Sequence, residues 1–183
     1  AERDITADRR EVIFVDASIA NLTNILGQLP DTAEIQLIDT STDGIAAIAN
    51  WASTQSNIDA IHIISHGAQG ELYLGSSVLS NDTIAAVSEE LTTLGGALTE
   101  TGDILLYGCN IADGAAGLEF VERFAQATSA DVAASSDDTG TAVLGGDWDL
   151  EVQTGDVDAE GLVLTDFDGV LAVTVADQAF VEN

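Results

Sequence analysis

The chain has 183 residues, of which 32 are Asp or Glu and four are basic, for a formal net charge of −28, while 46% are hydrophobic. That apolar share belongs to a folding globular chain of one domain with a short appendage, and the charge excludes nucleic acid and membrane-surface partners by repelling phosphate and anionic lipid. No run reaches the roughly 18 apolar residues of a membrane helix, and a single cysteine, Cys109, excludes an internal disulfide.

Residues 1–11 are polar, hold three of the four arginines and read as a flexible arm. "VIFVD" (12–16) is a strand. "ASIANLTNILGQL" places apolar residues at 19, 22, 25, 26 and 29, a helical spacing that Ser18 can cap and Pro30 closes. "EIQLID" (34–39) is a second strand, "DGIAAIANWAS" (43–53) a second helix and "DAIHIIS" (59–65) a third strand. "ELYLGSSVLS" reads as a small hairpin around Gly75, followed by a helix capped by Ser80 or Asn81 and running to about Leu94. "DILLYG" (103–108) is the most apolar strand, "AAGLEFVERFAQAT" (115–128) an amphipathic helix and "DVAAS" (131–135) the fifth strand. This alternation predicts an α/β three-layer sandwich with a mostly parallel sheet of about six strands. Beyond Ser136 the helical period disappears. Residues 137–155 are expected to close the domain, which spans 12–155, with a hairpin, and 156–183 to form an acidic linker into a following β-rich module.

Functional groups of an open parallel sheet collect at the carboxyl ends of its strands. His66 ends the third strand in "HIISHG" and Cys109 ends the fourth in "DILLYGCN". Adjacent strands lie about 4.8 Å apart, so the one thiol and one of the two imidazoles become neighbours. An imidazole and a following helix N-terminus favour a thiolate nucleophile. Gly67 and Gly108 allow sharp turns, and the main-chain amides of Gly67 and Cys109 can form an oxyanion hole.

An apolar strand ending in "SHG", about forty residues, then an apolar strand ending in "GC" resembles the caspase and gingipain superfamily of cysteine peptidases, the caspase–haemoglobinase fold. The spacing of 43 from His66 to Cys109 is near the roughly 50 of caspases. Through "FVDAS", "SHG", "LYGC" and "LGGDWDLE", residues 12–155 also resemble a domain towards the amino end of giant bacterial surface proteins with cadherin-like or calcium-binding repeats. The resemblance implies a caspase-like architecture and a His–Cys dyad, with His66 as acid/base and Cys109 as nucleophile. "LYGCNIA" replaces the caspase "QACRG", so specificity for aspartate is not implied. The superfamily's specificity pocket lies near the ends of the first and fifth strands, where this chain has Asp16 and Asp137 or Asp138. Carboxylates there would select Arg or Lys.

These readings give a cysteine endopeptidase, self-processing or acting on another peptide, in an exported bacterial surface protein beside repeat modules. The rival is an inactive adhesion module that binds calcium or a basic partner. The chemistry requires no cofactor. The pairs Asp147/Asp149, Asp156/Asp158 and Asp166/Asp168 have the alternate spacing of a calcium-binding or simply solvated acidic face. His62, four residues before His66, lies about 13 Å from it on an extended strand, too far to share a metal, and reads as a core histidine.

Overall fold

The computed structural model describes residues 9–173. Six strands form the central sheet: β1 (Glu11–Asp16), β2 (Glu34–Ile38), β3 (Ile58–Ile64), β7 (Leu98–Tyr107), β8 (Asp131–Ala134) and β9 (Val152–Thr154). Their order is β2-β1-β3-β7-β8-β9, parallel except for the last pair. Strands β4 (His66–Ala68), β5 (Glu71–Leu74) and β6 (Ser77–Ser80) form a small antiparallel sheet at the carboxyl edge. The helices are α1 (Leu22–Gln28), α2 (Gly44–Ala52), α3 (Ser88–Gly96) and α4 (Gly114–Thr128).

Alternation along the strands divides the core between two faces. Val12, Phe14, Ile61, Ile63, Ile104 and Leu106 pack with the apolar stripes of α2, α3 and α4. Ile13, Val15, Ala60, Leu105 and Tyr107 point to the other face, which α1 covers together with Trp148, Leu162, Leu164, Phe167 and Leu171. Side chains buried on both faces explain why β1, β3 and β7 read as continuous apolar runs. The three-layer α/β sandwich and its mostly parallel six-stranded sheet are those expected from the sequence.

The boundaries differ in four places. Residues 9–11 are held to the domain: the main-chain N–H of Arg10 donates to Asp59 and its guanidinium to Ser56 and Gln55, while residues 1–8 of the expected arm lie outside the described residues. Helix α1 is preceded by Asn21 in a left-handed conformation and not capped by Ser18, whose main-chain N–H donates to Asp16. Helix α3 begins only at Ser88, after a 3-10 turn over Ile84–Val87. The largest change concerns the expected linker. Residues 156–172 fold back across the sheet: Asp103, buried on β7, accepts the N–H groups of Asp158 and Ala159, and the Tyr107 hydroxyl accepts that of Leu162. Leu164, Phe167 and Leu171 are all buried. Positions 174–183 lie outside the described residues.

His62 is a core residue. Its Nδ1 lies 3.1 Å from the Tyr107 hydroxyl and its Nε2 3.1 Å from the Glu11 carboxylate. With the proton on Nε2 the hydrogen bonds linking Glu11, His62, Tyr107 and Leu162 are mutually compatible, because Tyr107 donates to Nδ1 while accepting from Leu162. The hydrogen bond from His62, more than any other cause, holds the Glu11 carboxyl below its ordinary range.

Candidate functional site at the tips of two central strands

Strands β3 and β7 pair in parallel, with Ile64 opposite Tyr107. His66 and Cys109 therefore each follow this last pair by two residues, one at each neighbouring tip. The main chains beyond them run close together. A β-carbon added at Gly67 would sit 2.9 Å from the Cys109 carbonyl oxygen, and one at Gly108 would sit 3.0 Å from that of Ser65 and 3.3 Å from the Gly67 nitrogen. Glycine is required at both tips because a side chain would push the strands' ends apart.

The two amides assigned to an oxyanion hole point at one atom. The N–H of Gly67 donates to the Leu171 carbonyl at 3.0 Å and that of Cys109 to the same oxygen at 3.5 Å. Two main-chain donors converging on one carbonyl polarise it and stabilise negative charge on its oxygen. The half-buried His66 stands beside Gly67, and its buried Nδ1 has no hydrogen-bond partner among the described residues.

Cys109 is fully buried. Its thiol donates to the Thr139 carbonyl at 3.7 Å, and the Thr139 N–H donates to the sulfur at 3.3 Å. Burial, the largest cause, pushes the thiol up to about 12, with the Asp138 carboxylate acting in the same direction and the Thr139 N–H against it. The expected help from a helix N-terminus is missing, since α4 starts only at Gly114 and the left-handed Asn110 turns the chain in between. With the Leu171 segment in place, Cys109 is a protonated thiol at neutral pH.

The three carboxylates linked to specificity lie on two sides of the tips. Asp16 ends β1, is 2% exposed and accepts the N–H groups of Ser18 and Gly75. Its charge is thus directed at main-chain amides. Asp137 and Asp138 follow β8, two strands away from β3 on the other side. The Asp137 carbonyl accepts the Asn110 N–H, and the Asp138 carboxylate accepts the Asn110 side-chain amide. Both therefore fasten the loop that carries Cys109.

Among the described residues, one group can offer several oxygens to a metal ion: Asp137, Asp147 and Glu151, all exposed, place one carboxylate oxygen each within 4.8 Å of one another. Desolvation raises the Asp137 carboxyl first, and the negative charges of Glu151 and Asp147 raise it further. Of the sequence's candidate acidic pairs, only Asp147 contributes to this group. Thr139, Gly140 and Leu171 were not expected at the site. Their signals were faint: a "DTGT" turn after the fifth strand and an apolar run in "GVLAV" with no period to assign.

The fold and these tips define an α/β three-layer domain with a thiol, an imidazole and two convergent amides at the carboxyl edge of a parallel sheet. The sequence matches, over residues 12–171, the family described as a domain of unknown function (DUF4347), and the chain belongs to that family. No curated protein matches it. Among solved structures it is similar to caspase-1 from Spodoptera frugiperda (18% identity, TM-score 0.32), over 58% of this chain and 51% of that one, so the alignment spans about half of the caspase. It is also similar to a small-chain dehydrogenase (8% identity, TM-score 0.29, covering 66% of this chain and 70% of that one). A third similarity is to the protein lin1944 from Listeria innocua (16% identity, TM-score 0.31, covering 66% and 65%). The family match runs through Leu171, whose carbonyl receives the Gly67 and Cys109 N–H groups.

Proposed function

We propose that this domain is a caspase-like cysteine endopeptidase that acts on extended polypeptide. One observation carries the reading: two main-chain N–H groups, from Gly67 and Cys109, converge on a single backbone carbonyl at the tips that bear the thiol and the imidazole. In the reaction the Cys109 sulfur attacks a carbonyl carbon held by those amides, and His66 accepts the thiol proton. The tetrahedral oxyanion rests on the Gly67 and Cys109 N–H groups. His66 then protonates the leaving amine, and water hydrolyses the thioester to a carboxylate and free thiol. No metal or cofactor takes part. Repulsion among the 32 acidic residues supports work in a saline or extracellular setting, where screening is strong, as part of an exported bacterial surface protein.

The test is hydrolysis of an unstructured peptide library by protein whose groove has been opened by Leu171→Asp, compared with the same protein also carrying Cys109→Ala or His66→Ala. Loss of Cys109 should lower turnover by at least about a thousandfold, and loss of His66 by about a hundredfold or more. Cleavage that persists in the Cys109→Ala protein refutes the assignment.

A second reading has its own support in the fully buried thiol and the Asp137/Asp147/Glu151 group. In it the domain is an inactive adhesion module whose acidic edge takes up calcium or a basic partner. It requires Cys109 to stay inert when the groove is opened.

A further inference from the structure

The residues from Gly169 to Ala172 lie across the strand tips as a short segment held by isolated bridges between two stretches of main chain. On one side Thr141 N–H donates to the Gly169 carbonyl at 2.8 Å and Leu171 N–H to the Thr139 carbonyl at 2.9 Å, with Gly140 and Val170 forming an antiparallel bridge. On the other side Gly67 and Ala172 form a parallel bridge, and the Gly67 N–H holds the Leu171 carbonyl. This is β-strand addition, the way a sheet edge grips an extended peptide. The register is specific. The one carbonyl taken by the Gly67 and Cys109 amides is that of Leu171, and the Thr139 carbonyl that receives the Leu171 N–H also receives the Cys109 thiol. Sulfur and Leu171 are therefore placed about a single atom. Leu171 is fully buried in the same apolar cluster as Cys109, Val15 and Ile19, so its side chain occupies an apolar pocket.

From this docking we infer that the bond cut by the site is in the protein's own chain, the Leu171–Ala172 peptide, a step that rests on the peptidase reading above. The Cys109 sulfur forms a thioester with the Leu171 carbonyl carbon while the bond to the Ala172 nitrogen breaks. The thiol proton passes through His66 to that nitrogen, which leaves as an amine. Water then hydrolyses the thioester, giving a chain that ends in the Leu171 carboxylate, a fragment that begins at Ala172 and a regenerated thiol. The pocket's occupant also sets the substrate class: an apolar residue before the cut, preceded by a small extended stretch such as Gly-Val. The basic side chain inferred from Asp16, Asp137 and Asp138 is replaced by leucine, consistent with the engagement of Asp16 by two main-chain amides.

The experiment incubates the full 183-residue chain at pH 7 to 9.5 and follows intact mass, with the native protein beside Cys109→Ala. The expected result is two products, ending at Leu171 and starting at Ala172, whose rate rises with pH as more thiol ionises and which are absent from the Cys109→Ala protein. In parallel, Leu171→Asp protein is treated with a Gly-Val-Leu acyloxymethyl ketone. A chain that stays intact, or is cut elsewhere, while this ketone labels Cys109 overturns the inference and leaves a peptidase whose docked strand is only a plug. Absence of both cleavage and labelling in folded protein overturns the inference together with the peptidase reading.

Discussion

Replacing Leu171 with Asp should raise the alkylation rate of Cys109 by iodoacetamide at pH 7 by at least about a hundredfold. In the native protein the sulfur is fully buried and its thiol is pushed up to about 12. Relative to an ordinary thiol near 9, that alone cuts the thiolate by about a thousandfold, because each unit of pKa is a factor of ten. A carboxylate at 171 cannot be buried in an apolar cluster without a large penalty, so the segment leaves the groove and water reaches the sulfur. The direction of the pH dependence follows from the same burial. A thiol whose folded value is raised stabilises the fold fully below its ordinary value, and that contribution is lost as pH rises from about 9 towards 12. The native protein should therefore lose stability across this alkaline window more steeply than Leu171→Asp, which thermal melts at several pH values would register. Alkylation equally slow in both proteins would mean that the segment does not cover the thiol.

Gly140→Ala should act on the same segment from its other edge. Gly140 has φ +144°, and an added β-carbon would sit 2.2 Å from the Gly169 carbonyl oxygen. Backbone strain of this kind costs about 1–3 kcal/mol, and the collision comes on top of it. The least costly relief is outward movement of Gly169 and Val170, which breaks the Thr141 and Leu171 hydrogen bonds. The expected outcome is a loss of about 3 kcal/mol, or roughly 6–12 °C in melting temperature for a chain of this size, with Cys109 gaining reactivity. A control at Gly145 has open space around it but also φ +89°, so Gly145→Ala should cost only the backbone strain and leave the thiol unreactive. Equal thiol reactivity in both variants would separate Gly140 from the groove.

The sheet was legible in the sequence because its information is local. "HIISHG" and "DILLYGCN" each carry an apolar run and a glycine stop, and parallel pairing of such runs brings their tips together. The closeness of Gly67 and Cys109 was legible for the same reason, since each follows the end of one of these paired strands, and their N–H groups meet at the Leu171 carbonyl. The covering segment was not. Leu162, Leu164, Phe167 and Leu171 follow neither the period of a helix nor that of a strand, and their partners, Tyr107, Thr139 and Gly67, lie far away along the chain. An acidic, glycine-containing stretch with irregular apolar residues reads as a linker until its long-range hydrogen bonds are known. The state of Cys109 was hidden likewise, since placing it at a strand tip says nothing about what lies over it. Asp16 shows the converse: a carboxylate at the right strand end, spent on the N–H groups of Ser18 and Gly75.

Whether His66, Cys109 and the convergent amides form a working acyl-transfer site is decided by peptide mapping of the adduct formed by a Gly-Val-Leu acyloxymethyl ketone on opened, folded Leu171→Asp protein. The expected product is a single thioether at Cys109, formed at least about tenfold more slowly when His66 is Ala. No adduct, or one whose rate ignores His66, would contradict it.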